Sequence, residues 1–319
     1  GSLSSILFAI YINDLLKTEN TAMKCLGYAD DTTLLFSFND RINWSLIDHE
    51  LRKIMRWSQA NGLLLNASKS NYIVFGFVRS IPRHPIKLHR TECAVYPEVV
   101  PYNNCSCGTI ENVSSTKYLG VMIDEQISWK THIANLVKKL RASAATIAKL
   151  SYTVDRRTTI LVYKAIFETY LRYGILAYCA AFKNTISAIE TIQNNLVRRI
   201  MNAEPRCSTE NMYRELDILP ITRIYAKCLL MECIVRNPVP AQSIIENLRP
   251  THDYDTRSDI IRPTRVRLVR YDRIYLNRYV KIYRDNPQVV NAVLAAETVS
   301  QKKRLICDFA GSVPLQTIE

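Results

Sequence analysis

Two adjacent carboxylates are the residues most suited to chemistry. Asp30 and Asp31 lie in the stretch LGYADDTTLLF (residues 26–36), among apolar and β-branched neighbours, with Tyr28 just ahead. Successive side chains of a regular strand point to opposite faces, so neighbouring aspartates diverge there. At a tight turn the alternation breaks, and both can approach one small volume. Carboxylates that close repel unless a cation neutralises them. Hard oxygen donors select a hard cation, Mg²⁺ first and Mn²⁺ as a substitute. A strand-borne pair suits two-metal phosphoryl transfer, with one ion on the attacking hydroxyl and the other on the leaving group. On these few residues alone, a solvated Asp-rich turn is the simpler reading.

The elements around the pair follow from pattern. Residues 3–16 read as a buried helix, with Leu3, Leu7, Ile10, Asp14 and Leu15 near one face. Residues 23–26 and 32–36 read as two short strands joined through GYADD, a hairpin signature that puts the aspartates at a bend. Residues 43–60 read as an amphipathic helix ended by Asn61-Gly62, and residues 63–77 as strand, turn and strand. The proline-bearing stretch 79–116 reads as a loop or exposed excursion. KYLGVMID (117–124) reads as a returning strand, and residues 129–150 as a long helix. Helices are then expected from an Asp155 cap to about residue 182, over 185–202, after a Ser208 cap, and over 222–237. The chain is thus α+β, with strands confined to the first part. The expected division is 1–128, 129–205 and 206–319.

Composition narrows the class. The 319 residues are 48% hydrophobic and 22% charged, as in an ordinary folded chain. The net charge of +13 implies an anionic partner, nucleic acid first and an acidic membrane surface second. Nine cysteines without a paired framework fit a reduced, intracellular setting. No signal peptide or membrane span is expected, because Asn13 and Asp14 interrupt the opening apolar run and Lys164, Glu168 and Arg172 interrupt 160–182.

The order of blocks carries more than any one of them. GSLSSILFAIYINDL, YADDTTLLF, NGLLLNASKS with IVFG, and KYLGVMID with SWKTHI occur in sequence; LRYGILAYCAAF, IQNNLVRRIMNA and DYDTRS follow. This succession resembles the reverse transcriptases of non-LTR (LINE-type) retrotransposons, in particular the jockey-like groups of arthropods. The resemblance implies a partial polymerase palm, an antiparallel sheet with helices, over 1–128. A helical thumb over 129–205 and a basic α-helical C-terminal region over 206–319 would follow.

The implied activity is RNA-templated DNA synthesis from deoxynucleotides with Mg²⁺, on a DNA primer taken from the target, and hence a nuclear site of action. Asp30 and Asp31 match the catalytic, metal-holding motif. Gly1 and Ser2 match the tail of a block that contacts template and nucleotide, Tyr28 would underlie the primer terminus, and Lys69 matches a lysine proposed to protonate pyrophosphate. Tyr118, Leu119 and Gly120 match the primer grip. Two departures stand out: Ser5 replaces a usual proline, and no block with the third metal-binding aspartate precedes Gly1. The chain therefore reads as a fragment, expected to be inactive alone. The alternatives are a non-catalytic RNA- or DNA-binding protein and an inactive relic.

Other candidates are weaker. Cys105 and Cys107, with Cys93 and His84 or His89, could be drawn as a zinc site, but C-x-C is tighter than the usual spacing. Lys138, Lys139 and Arg141 lie opposite the apolar stripe of their helix and could follow a phosphate backbone, or form a solvated face. Ten basic residues against four aspartates over 249–284 interleave with tyrosines. Among them, Arg265, Arg267, Arg270, Tyr271, Arg273, Tyr275, Tyr279 and Tyr283 could pair with phosphates and stack on bases. Ordinary surface arginines on a helix are the plainer account. His49, His132 and His252 show no ligand spacing and read as structural.

Overall fold

The computed structural model describes residues 2–18, 20–38, 41–75, 85–89, 107–179, 183–236 and 274–312. The chain forms two compact units, Gly1–Thr116 with Asp124–Gln126, and Lys117–Ile123 with Ile127–Glu319. The fold is α+β, with every described strand at or before Asp124.

The first unit is built around a hairpin. Helix α1 (Ser2–Leu16) precedes strands β1 (Met23–Tyr28) and β2 (Asp31–Phe36), and helix α2 (Trp44–Ala60) follows. The Asn20 side chain accepts from the amides of Ala22 and Met23, both at 2.9 Å, and so starts β1. Met23 and Cys25 point inward, while Lys24, Leu26 and Tyr28 point outward. The inner face packs with Ile12 and Leu15 of α1 and Ile54 of α2. Asn43 caps α2 by accepting from Leu46 N at 3.0 Å.

Helix α1 corrects the sequence reading. Leu3, Leu7 and Ile10 are 57–67% exposed, and the buried positions are Ile12 and Leu15. The helix is apolar on every side, so periodicity could not select a face. The stretch after α2 is also plainer than predicted: one 3₁₀ turn (Ala67–Lys69) and a two-residue strand β3 (Asn71–Tyr72). Strand β5 (Thr109–Asn112) lies between β3, which it meets in parallel, and β4 (Ile86–Lys87), which it meets antiparallel.

KYLGVMID is not one strand. It folds as β6 (Ser115–Tyr118) and β7 (Val121–Asp124), reversing at Leu119-Gly120. Among the described residues the second unit is otherwise helical. Of the apolar stripe expected on helix α3 (Lys130–Leu150), at Ile133, Leu136, Val137, Leu140, Ala144 and Ile147, all are buried but Ala144, which is half-buried. The helix packs on α7 (Lys183–Ile200). Asp155 caps α4 (Arg156–Val162), as expected, accepting from Thr158 N at 3.1 Å. The helix continues through a π segment (Tyr163–Glu168) into α5 (Thr169–Arg172).

The helix does not run to residue 182. It stops at Tyr173-Gly174, and a short α6 (Ile175–Tyr178) follows. Thr209, not Ser208, precedes α8 (Glu210–Glu215). Helix α9 (Ile221–Leu230) passes into a second π segment, Met231–Arg236. The last described helices are α10 (Ile274–Asp285), α11 (Pro287–Ala295) and α12 (Val299–Ser312). Their Tyr279, Ile306 and Phe309 belong to the same apolar cluster as Leu140 and Leu196.

One buried amide ties this core together. Gln193 of α7 is fully buried; its Nε2 donates to the Tyr163 hydroxyl at 2.8 Å and the Leu219 carbonyl at 2.9 Å. Its Oε1 accepts from Ile221 N at 2.9 Å, satisfying a free amide at the start of α9. Gln193→Ala removes the partner of three groups, of which the Tyr163 hydroxyl and the Ile221 amide are buried. The expected cost is about 2–4 kcal/mol in urea unfolding followed by circular dichroism. Thr191→Ala, at an exposed position of the same helix, is expected to cost much less.

Candidate functional site

The aspartates sit where the chain reverses. Tyr28 pairs across the hairpin with Asp31, which leaves Ala29 and Asp30 as a two-residue connection. Both strands therefore run further toward the bend than the flanking apolar residues suggested. The connection needs a left-handed residue, and Ala29 takes φ +51°. An L-residue pays roughly 1 kcal/mol for that conformation, so backbone strain is held directly beside Asp30.

Asp31 shares the outer face of the hairpin with Tyr28, Leu26, Thr33, Lys24 and Leu35, the residues paired on that side. Tyr28 is 64% exposed, Leu26 and Leu35 each 45%, and both aspartates are exposed. The structure thus brings Tyr28, Asp30 and Asp31 together at the tip of a hairpin whose other face is buried at Met23 and Cys25.

The remaining predicted residues are placed as follows. Lys69 ends the 3₁₀ turn, its amide held by the Asn66 side chain at 3.3 Å, with its own side chain exposed. Among the described residues no ion pair joins it to either aspartate. Ser2 begins α1 and Gly1 lies outside the described residues. Tyr118 ends β6, and Leu119 and Gly120 form the following turn. Lys138, Lys139 and Arg141 are exposed on α3, and the Lys139 ammonium lies 5.7 Å over the Tyr170 ring. Arg265, Arg267, Arg270, Tyr271 and Arg273 lie outside the described residues, and Tyr275 falls in α10.

Two tyrosines of that basic segment are corrected. Tyr279 and Tyr283 are 1% and 7% exposed and belong to the core, so neither ring is available to a base. Their spacing of four along α10 suits an apolar helix face.

The donor set favours oxygen chemistry. Of the zinc candidates, Cys93, Cys105 and His84 lie outside the described residues, and Cys107 is buried. Among the described residues no three His, Cys, Asp or Glu side chains converge on a metal position. Two neighbouring carboxylates nonetheless fit Mg²⁺, which commonly takes one or two protein carboxylates and completes its shell with water and phosphate oxygens.

Comparison with known proteins meets the hairpin here. Residues 1–123 match the family described as reverse transcriptase (RNA-dependent DNA polymerase). Over these residues the chain is similar to the reverse transcriptases. A probable RNA-directed DNA polymerase from transposon X-element of Drosophila melanogaster is 25% identical over 175 residues, 53% of this chain and 17% of that protein. The RNA-directed DNA polymerase from mobile element jockey of the same fly is 22% identical over 229 residues, 68% of this chain and 23% of the relative. The chain thus spans about a fifth of the length of these relatives. No solved structure matches it. No described helix is long and apolar enough to cross a membrane.

Sequence reasoning passed over the surroundings of the β6–β7 turn. His132, in the first turn of α3, accepts from Met122 N at 3.4 Å through Nδ1, and its ring lies 5.2 Å from that of Tyr178. Its Nε2 is buried and has no hydrogen-bond partner among the described residues. Burial first, then the Lys139 ammonium, holds the imidazole below its ordinary value of 6.5. The unfolded chain therefore takes up a proton before the folded one does. Stability contributed here is present above 6.5 and falls as pH drops toward the lower folded value. Protonation would also remove the Nδ1 acceptor from Met122. His132→Gln is expected to flatten the fall of the stability-versus-pH curve below 6.5, measured by urea unfolding.

Proposed function

We propose that this chain carries the carboxylate hairpin of an RNA-directed DNA polymerase of the non-LTR retrotransposon type. One observation carries the reading: Asp30 and Asp31 stand at the two-residue bend of an antiparallel hairpin, inside the segment that matches reverse transcriptases. In this reading residues 1–128 serve as a partial palm, 129–205 as a thumb and 206–319 as a basic region built on the same helical core. The partners are an RNA template, a DNA primer or target end, and deoxynucleoside triphosphates.

Asp30 and Asp31 would hold Mg²⁺ or Mn²⁺, which when bound supplies charge neutralisation at the phosphates. The outward Tyr28 ring would support the primer terminus beside the carboxylates. Lys69, exposed and held at the end of its turn, would deliver a proton to departing pyrophosphate. The Tyr118–Gly120 turn would contact the primer strand. Helix α3 has five basic residues and no acidic one, and among the described residues no ion pair neutralises Lys138 or Arg141. Such a face suits a phosphate backbone.

Positioning and charge neutralisation make up nearly all of the catalysis in phosphoryl transfer, so turnover should depend on the carboxylate pair. The test is extension of a DNA primer on an RNA template in Mg²⁺. Incorporation is expected at least roughly tenfold above that of Asp30→Ala, a difference of about 1.4 kcal/mol in barrier. Salt-sensitive binding with no Asp30-dependent incorporation would overturn the enzyme reading and leave a nucleic-acid-binding protein. In either case Lys138→Ala with Arg141→Ala should weaken binding across sequences and lower the log–log salt slope by about 2.

A further inference from the structure

The turn Leu119-Gly120 is held by a residue more than fifty positions away. Both turn residues are left-handed, at φ +43° and +83°, the pattern of a type I′ hairpin. Glycine takes that backbone freely, whereas leucine persists there only where its surroundings over-determine it.

The determinant is Tyr173. Its hydroxyl donates to the Leu119 carbonyl. A Cβ on Gly120 would lie 3.1 Å from both Cε1 and the hydroxyl of Tyr173, so the ring occupies the space a side chain would need. The next residue interlocks in the opposite sense: Gly174 is left-handed at φ +69°, and a Cβ there would lie 2.9 Å from Cγ2 of Val121. The helical run from Arg156 also breaks here, with Tyr173 extended at ψ 114°. The break delivers one hydroxyl and one ring to the turn. The ring stays 57% exposed, so ring and turn form one open surface.

We propose that Tyr173 is the positioning residue of the primer-contacting turn. By fixing the Leu119 peptide it sets the surface that Tyr118, Leu119 and Gly120 present to the recessed strand of a template–primer duplex. The inference rests on the polymerase reading above.

The test uses the full chain and two fluorescent probes, a DNA primer annealed to a longer RNA so that its 3′ end is recessed, and the same RNA alone. The wild-type protein is expected to prefer the recessed duplex. Tyr173→Phe keeps the ring and should lose about fivefold in affinity for the duplex only, the size of one hydrogen bond. Adding Leu119→Asn should restore that affinity, because Asn-Gly adopts the left-handed pair unaided.

A duplex preference that survives Tyr173→Phe overturns the proposal alone. So does a loss equal on both probes, or a failure of Leu119→Asn to rescue. A wild-type protein with no preference for the recessed end overturns the polymerase reading, and this inference with it.

Discussion

Two like charges on consecutive residues must stay out of the apolar core, and to share one cation they must sit where the strand's alternation is broken. The Ala29–Asp30 bend meets that demand at the expense of a left-handed alanine. The strain is affordable because the strands behind it are anchored by burial. Met23 and Cys25 are 1% and 4% exposed, and burying a side chain such as Met23 contributes about 1.5–3 kcal/mol, more than the bend costs. The site is therefore a rigid apolar strut with a polar tip. Moving the bend by one residue would turn Met23 and Cys25 outward, since side-chain period in a strand is two.

The hairpin was readable because its signal is local: apolar runs either side of a polar bend. Helix α3 was readable because its stripe is one-sided. Where the sequence offered no contrast, the reading failed. Helix α1 is apolar all round, and nothing in its pattern distinguishes Ile12 from Ile10. In KYLGVMID the reversal depends on a leucine in a left-handed conformation, which no turn propensity announces. The break at Tyr173-Gly174 had a visible marker, a glycine inside a helical pattern. Its partner, the Leu119 carbonyl, is a tertiary fact. Likewise Gln193 looks like any helix-surface glutamine until the loop before α9 is seen to bring it an amide and a carbonyl.

The aspartate tip and the basic helix answer different physical questions, which is why they separate the competing functions. A phosphate backbone is attracted by any unneutralised row of cations, and the attraction fades with salt because it is counterion release. Helix α3 supplies that whether or not a reaction follows. Phosphoryl transfer adds a requirement that cations on a helix cannot meet, a negative pocket able to gather a divalent ion among substrate oxygens. In a binding protein with no cation between them, Asp30 and Asp31 would repel the very polyanion that the basic surface attracts. A pure binder therefore gains from losing the pair and an enzyme does not, so the direction in which their neutralisation moves nucleic-acid affinity carries information independent of turnover.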